Sequence, residues 1–309
     1  MWKALRSVQP RLRIHSPGGE LESRQEVRIR RPENLRHQEG KREMQLLIDA
    51  DLIVMRFACR HETKWDFPEN EHSAPDDPDF ITQEVEEAES GARVFIRALQ
   101  TRTQAEEVLL CFTGKENWRK QVFPTYKHNR AGRWVPALRE HLTGFLMREF
   151  PSLRVAQLEA DDLLGILQTE KNAQDTATVI ASIDKDLMQI PGWHYNWNYD
   201  DKPVFVDELD GAYLHMFQTL IGDATDGYPG CPKIGPKKAA EILPRDVLTN
   251  PLETWSRIVT AYEQAGQDEE EAIANARMAR ILRCGEYEHQ PKRKVKLWLP
   301  FDQEEWKEF

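Results

Sequence analysis

Residues 45–52 read QLLIDADL: a short apolar run that stops on an acid and then continues with apolar residues at helical spacing through Val54, Phe57 and Ala58. An unbroken apolar run of this length is the pattern of a strand buried on both faces. The change of period after it marks entry into an amphipathic helix. The pattern recurs along the chain. Glu107–Phe112 (EVLLCF) ends at Thr113-Gly114, Leu153–Ala156 (LRVA) precedes LEADDLLG, and Thr178–Ser182 (TVIAS) precedes IDKDL. Between the first two lie an acidic, proline-containing loop at 62–79 and a helical stretch from about Ile81 to Thr103. Short apolar strands alternating with helices predict an α/β core over 44–205, a mainly parallel sheet flanked by crossover helices. From Tyr213 onward, Gly-Pro turns between short helices and a helical run at Glu269–Arg283 predict a smaller helical domain, 206–309. Its Lys292–Pro300 segment (KRKVKLWLP) reads as a strand or tail packed on that domain.

The 309 residues suffice for one large or two modest cores, and 40% hydrophobic with 30% charged residues is the profile of a globular chain. No apolar run approaches the roughly 20 residues of a membrane span, and the first residues lack the apolar stretch of a secretory leader, so a cytoplasmic protein is expected. Cys59, Cys111, Cys231 and Cys284 have no CxxC spacing and read as reduced thiols. The net charge of −10 argues against a phosphate-rich partner until its distribution is considered. Residues 1–43 carry nine Arg and two Lys against six Glu and read as a disordered basic arm. That arm either adds DNA affinity or is a dispensable extension, even a mis-assigned start ahead of Met44.

Acids follow three of the four strands: Asp49 the first, Glu159, Asp161 and Asp162 the third, Asp184 and Asp186 the fourth. In an open parallel sheet these strand ends face one crevice, the usual ligand site. Carboxylates so close cannot all stay ionised unless divalent cations share the site, and oxygen-only donors suit Mg²⁺ or Mn²⁺ rather than zinc. Glu159 and Asp162, three apart, share a face of the opening helical turn, with Asp161 to its side. Each group alone has a plainer reading, as acids that complement a helix dipole or as a solvated turn. Their coincidence at strand ends favours a metal pair about 3.5–4 Å apart, which suits in-line displacement at a phosphodiester.

Two further segments fit that substrate. Gly230–Ala240 (GCPKIGPKKAA) is a glycine-bounded turn feeding a helix, with Lys233, Lys237 and Lys238 around it. Gly230 and Gly235 let backbone N–H groups approach a phosphate, so the hairpin, about 220–243, is expected to grip duplex backbone without reading sequence. A plain Gly-Pro loop is the alternative. Asp223 and Asp226 on its approach are placed to close the metal site. Residues 115–139 hold seven cations (Lys115, Arg119, Lys120, Lys127, Arg130, Arg133, Arg139) against Glu116 alone. Trp118, Tyr126 and Trp134 are interleaved with them, as expected where frayed single strand is held. Trp118 reads equally well as core.

Taken together, LLIDADL, CFTGKENWRKQVFPTYKHNR, LEADDLLG, SIDKDLMQI, IGDATDGYPGCPKIGPKKAAEIL and ARMARILRCGEYE cover most of 45–300. In this order they resemble the 5′-nuclease superfamily of flap endonucleases and 5′→3′ exonucleases, in particular the exonucleases of short-tailed bacteriophages. The resemblance implies a PIN-like core with a helix-hairpin-helix-type DNA clamp and a gateway or arch at 115–150. It puts Asp49, Glu159, Asp161, Asp162, Asp184, Asp186, Asp223 and Asp226 at metal positions. Tyr126 would stack near the scissile nucleotide while Lys127 and Arg130 stabilise its phosphate. Arg119, Lys120, Gly230, Lys233, Gly235, Lys237 and Lys238 would contact DNA. Two Mg²⁺ ions, replaceable by Mn²⁺, and a K⁺ ion at the hairpin are implied, as are duplex DNA with 5′ ends or flaps and RNA–DNA hybrids as substrates. One departure stands out: the family's aspartate at the end of the second strand falls on Gly114 here, with Glu116 the nearest acid. Two alternatives follow, a structure-specific DNA-binding protein with impaired catalysis, and a phosphatase of the haloacid-dehalogenase type whose nucleophile strand LLIDAD would match. The second leaves hairpin and gateway unexplained.

Overall fold

The computed structural model describes residues 44–62, 78–174, 176–289, 292–301 and 305–308. The basic arm expected at 1–43 and most of the loop expected at 62–79 lie outside them. Residues 42–309 form one compact unit.

Strands β1 (Gln45–Asp49), β2 (Glu107–Phe112), β3 (Ser152–Arg154), β4 (Thr178–Ala181), β5 (Gly192–Tyr195) and β6 (Val204–Val206) make one sheet in the order β3-β2-β1-β4-β5-β6. All pairings are parallel except β5 with β6. Leu46, Leu47 and Ile48 are fully buried, because β1 lies between two neighbours and under helices on both faces, as its unbroken apolar run requires. One face packs against α1 (Ala50–Glu62), α2 (Pro78–Thr103) and α4 (Leu138–Glu149) through Val54, Phe57, Ile96, Leu99, Leu142 and Leu146. Between β2 and α4 the short α3 (Trp118–Val122) opens the basic segment. The other face packs against α5 (Ala160–Ala173) through Leu163 and Leu164. β1 and β2 have the bounds read from sequence. β3 starts one residue earlier and ends two earlier than LRVA, because the chain at Val155 turns under β2, where the Val155 carbonyl lies against Gly114.

The C-terminal part contains α6 (Glu208–Ile221), α7 (Pro236–Ile242), α8 (Pro251–Gln264) and α9 (Glu269–Ala279). Asp207, Asn250 and Asp268 cap α6, α8 and α9 by accepting the backbone N–H three residues on, and Pro236 and Pro251 open α7 and α8. After α9 the chain leaves helical geometry at Arg280, four residues short of the expected helix end, and forms a small antiparallel sheet of β7 (Tyr287–Glu288), β8 (Lys294–Leu297) and β9 (Glu305–Glu308). Met278, Ile281, Leu282, Val295 and Leu297 join Leu163, Leu164 and Ile180 in one core, so the C-terminal segment packs directly on α5. Among the described residues no helix is long and apolar enough to cross a membrane.

Candidate active site

The C-terminal ends of β1, β2 and β4 and the start of α5 open onto one crevice beside the central strand, where the chain reverses its order of strand addition. Asp49 ends β1 and is nearly buried; its two oxygens accept from the Ser182 hydroxyl at 3.1 Å and the Leu52 N–H at 3.4 Å. Ser182 follows β4 and also receives the Asp184 N–H at 3.0 Å, so one hydroxyl ties the Asp49 carboxylate to the Asp184 backbone. Asp184 in turn accepts the Asp186 N–H at 2.9 Å, and Gln218 of α6 donates to Asp186 at 2.7 Å. Asp161, at the crevice mouth, accepts no hydrogen bond among the described residues.

These acids lack the compensation that buried charge demands. Burial, then the charges of Asp51 and Asp184, push Asp49 up to about 7. Burial and Asp184 push Asp186 up to about 7 despite Lys185 at 3.2 Å. Asp161 rises well above the usual carboxylate range through burial and the charges of Asp184 and Asp49, and Asp184 is raised chiefly by burial. Four carboxylates held in a state that favours added positive charge suit a divalent cation by donor chemistry, although among the described residues no three of them bring ligand atoms within 4.8 Å of one another, so a bound ion would have to draw them together.

The other expected ligands behave differently. Asp162 is fully buried, and Arg119, itself 2% exposed, grips it with two guanidinium nitrogens at 2.8 and 2.7 Å. The Trp118 indole donates at 3.1 Å, the Leu282 N–H at 3.2 Å and the Glu159 N–H at 3.3 Å. Its lone pairs are committed, so the metal role expected of Asp162 is not compatible with this geometry. Arg119 cannot reach DNA either: it is locked beneath α5 and also donates to the Arg280 carbonyl at 2.6 Å. Glu159 receives Lys127 at 2.5 Å, Arg119 at 3.0 Å and the Tyr126 hydroxyl at 2.9 Å. Burial opposes its ionisation, but Lys127 and Arg119 outweigh burial and hold it at about 2.

The gateway residues surround this second group. Lys127 adopts left-handed backbone geometry (φ 54°), with its N–H on the Asp226 carbonyl at 2.7 Å, which turns its ammonium back into the crevice. Asp226 receives Arg130 at 2.7 Å and the Tyr126 hydroxyl at 2.9 Å, with Lys127 at 3.5 Å. One phenolic proton is thus shared between Glu159 and Asp226. Tyr126 is 2% exposed, so the stacking role expected of it is corrected: its ring is core and its hydroxyl is a bridge. Trp118 is core too, at 1%, whereas Trp134 is 42% exposed. Lys120 is exposed, as DNA contact requires. Asp223 caps its own turn through the Thr225 N–H at 2.6 Å and lies 3.8 Å from Lys185.

At the hairpin, Lys233, Lys237, Lys238 and Gly235 are exposed, with open space around the Gly235 α-carbon. Gly230 serves another purpose than the one expected. It is buried at φ 67°, a Cβ there would fall 2.3 Å from the Gly222 nitrogen, and its N–H is spent on the Asn275 side chain at 2.8 Å. Gly114 is equally constrained, since a Cβ would fall 2.1 Å from the Val155 carbonyl oxygen, and Glu116 is exposed. Sequence reasoning missed Ser182 and Gln218 as orienting groups; nothing in their local pattern distinguishes them. Away from the crevice, His61, Glu84 and Glu87 each bring a donor atom within 4.8 Å of the others, with His61 Nδ1 2.6 Å from Glu84 Oε2.

Comparison with known proteins gives this geometry its context. The family described as 5′-3′ exonuclease, N-terminal resolvase-like domain, matches residues 81–208. The exonuclease of Escherichia phage T7 is 33% identical over 239 residues, 66% of this chain and 79% of that protein. The exodeoxyribonuclease of Enterobacteria phage T3 is 32% identical over 238 residues, 66% and 78% respectively. A structure of the phage T5 5′-exonuclease with divalent metal ions (zinc) bound shares the fold with a TM-score of 0.57 at 17% identity, covering 77% of this chain and 89% of that one.

Proposed function

The chain belongs to the 5′→3′ exonuclease family, whose members are metal-dependent phosphodiester hydrolases, and from that premise we propose that it degrades duplex DNA from 5′ ends with a pair of Mg²⁺ ions. The observation that carries the reading is the split among the acids. Asp49, Asp161, Asp184 and Asp186 face one crevice without adequate compensation, directly beside the cations Lys127 and Arg130. A divalent cation bound there supplies charge for the scissile phosphate and a water of lowered pKa, and Mn²⁺ meets the same donor set.

The chain's own residues do the rest. Ser182 aims the Asp49 carboxylate and holds the Asp184 backbone, and Gln218 aims Asp186. Lys127 and Arg130 neutralise a phosphate entering the crevice by exchanging partners with Glu159 and Asp226, two carboxylates that hold them at its edge. Tyr126 keeps those carboxylates in register. Lys233, Lys237, Lys238 and the open backbone at Gly235 would hold the duplex backbone, with carbonyls there to take K⁺. Lys120 and the exposed Trp134 would meet the frayed end. Flapped DNA presents the same phosphodiester to this crevice, the 5′ strand of an RNA–DNA hybrid presents one that differs by the neighbouring 2′-hydroxyl, and action on such ends in the cytoplasm is part of this reading.

The test is digestion of a 5′-labelled duplex in Mg²⁺ by the wild type and by Asp161→Asn. The proposal expects labelled short products from the wild type alone, none of them in excess chelator. Full activity in the variant, or in chelator, would sink it. Binding of 5′-tailed duplex with no cleavage even in Mn²⁺ would instead mark a binding protein.

A further inference from the structure

Asp51 sits two residues beyond Asp49, in the first turn of α1. A carboxylate at a helix start usually complements the helix dipole and does no more. Here it does something else: Asp51 Oδ2 accepts the N–H of Thr113 at 2.9 Å, across to the residue that follows β2. Asp49 leans the opposite way, onto Ser182 just past the end of β4. The two acids therefore straddle β1, one reaching to each neighbouring strand. The second oxygen of Asp51 accepts nothing among the described residues, and the side chain is half-buried, so one lone-pair face is fixed and the other is open.

The end of β2 has no acid of its own that could do this. Thr113 spends its hydroxyl oxygen on the Ala160 N–H at 3.1 Å, which ties β2 to the start of α5. Position 114 admits no side chain, because a Cβ would overlap the Val155 carbonyl and crowd the Ala156 α-carbon at 3.0 Å. Glu116 is exposed. A carboxylate is nonetheless anchored over that strand end, delivered from the helix that follows β1.

We propose that Asp51 is a further metal-directed carboxylate of this centre, standing over the end of β2 at the place where position 114 cannot carry one. The inference rests on the metal-centre reading above. The Thr113 bond is what turns a surface acid into a positioned one: it fixes the carboxylate over the end of β2, so less side-chain freedom is left to lose when a cation binds.

The experiment separates this role from a structural one. Asp51→Asn keeps an oxygen to accept the Thr113 N–H and removes the charge, whereas Asp51→Ala removes both. Mn²⁺ binding to the full chain is measured by calorimetry for the wild type, both variants and Asp161→Asn, and thermal unfolding is measured in chelator. The expected result for Asp51→Asn is Mn²⁺ affinity weaker by roughly 10-fold or more with a metal-free melting temperature like that of the wild type. A Mn²⁺ isotherm for Asp51→Asn that matches the wild type, while Asp161→Asn binds more weakly, overturns the role of Asp51 and leaves the metal centre standing. Wild-type isotherms for both overturn the metal-centre reading as well. If Asp51→Asn lowers the melting temperature as far as Asp51→Ala does, with unchanged Mn²⁺ affinity, Asp51 is a structural residue and the proposal fails.

Discussion

Replacing Arg119 with Ala removes the cation that neutralises Asp162 and leaves that carboxylate fully buried with only the Trp118 indole and the Leu282 and Glu159 N–H groups as donors. The same change strips Glu159 of a 3.0 Å contact and the Arg280 carbonyl of its 2.6 Å donor. Removing one partner of a buried ion pair costs about 3–5 kcal/mol, because the remaining charge cannot be rehydrated. Both side chains are inaccessible, so solvent screening gives no relief. At about 2–4 °C per kcal/mol for a chain of this class, the melting temperature should fall on the order of 10 °C. Circular dichroism melts in chelator isolate the effect from metal binding. A double Arg119→Met, Asp162→Asn variant should recover part of the loss, since it leaves no orphaned charge at this site and the amide oxygen still accepts from buried donors there. A single variant melting within about 2 °C of the wild type would refute the assignment of Arg119 and Asp162 to the scaffold.

The raised acids make metal-free stability fall as pH rises from about 4 to about 7, whereas His194 and His215, pushed down by burial to about 4 and about 3 against an ordinary 6.5, make it rise up to about 6.5, so the net fall lies above about pH 6.5. Asp49 and Asp186 titrate near 7 when folded, against an ordinary aspartate value of 3.8, so at these two groups the folded state holds more protons across that window and loses ground as they leave. Glu159, held at about 2 against an ordinary 4.5, contributes stability above its unfolded value that is lost only toward pH 2, outside that window. Denaturant midpoints in chelator should therefore be higher at about pH 6.5 than at about pH 7.5, and a reversed order would contradict the electrostatic account. Gly114→Asp should destabilise the fold by roughly 1–3 kcal/mol without strengthening Mg²⁺ binding, because the Val155 carbonyl occupies the space its Cβ needs; a stable variant with tighter metal binding would refute that. Lys237→Gln with Lys238→Gln should weaken duplex binding and lower the slope of log affinity against log salt by about 2, with an unchanged slope excluding phosphate contact.

Much of this molecule is legible in its sequence, for identifiable reasons. β1 and β2 are unbroken apolar runs flanked by polar residues, and their limits follow from that pattern alone. β5 and β6 are not: Gly192–Tyr195 carries a buried histidine, and Val204–Val206 is a three-residue edge strand with Phe205 exposed, so neither shows a strand period. The convergence of acids at strand ends is foreseeable from topology. Which acid does what is not. Asp161 and Asp162 are chemically identical neighbours, and what separates them is Arg119, whose guanidinium arrives from 43 residues away. The same limit hides the burial of Tyr126, since a tyrosine among lysines and arginines reads as exposed until Glu159 and Asp226 are seen to enclose its hydroxyl. Gly230 follows the glycine pattern of a phosphate-binding turn, yet its conformation answers to the tight approach of Gly222.

The central claim is that Asp49, Asp161, Asp184 and Asp186, and not Asp162 in the grip of Arg119, receive the divalent cations. Carboxylates that titrate near 7 must release protons when a cation binds at slightly acidic pH. Calorimetric titration of Mg²⁺ at about pH 6.5, repeated in buffers of different ionisation enthalpy, counts those protons directly. The account predicts clear proton release in the wild type, a reduced release in Asp161→Asn, and release like the wild type in Asp162→Asn below its melting temperature. Heats that do not depend on the buffer, or a release abolished by Asp162→Asn and untouched by Asp161→Asn, would contradict it.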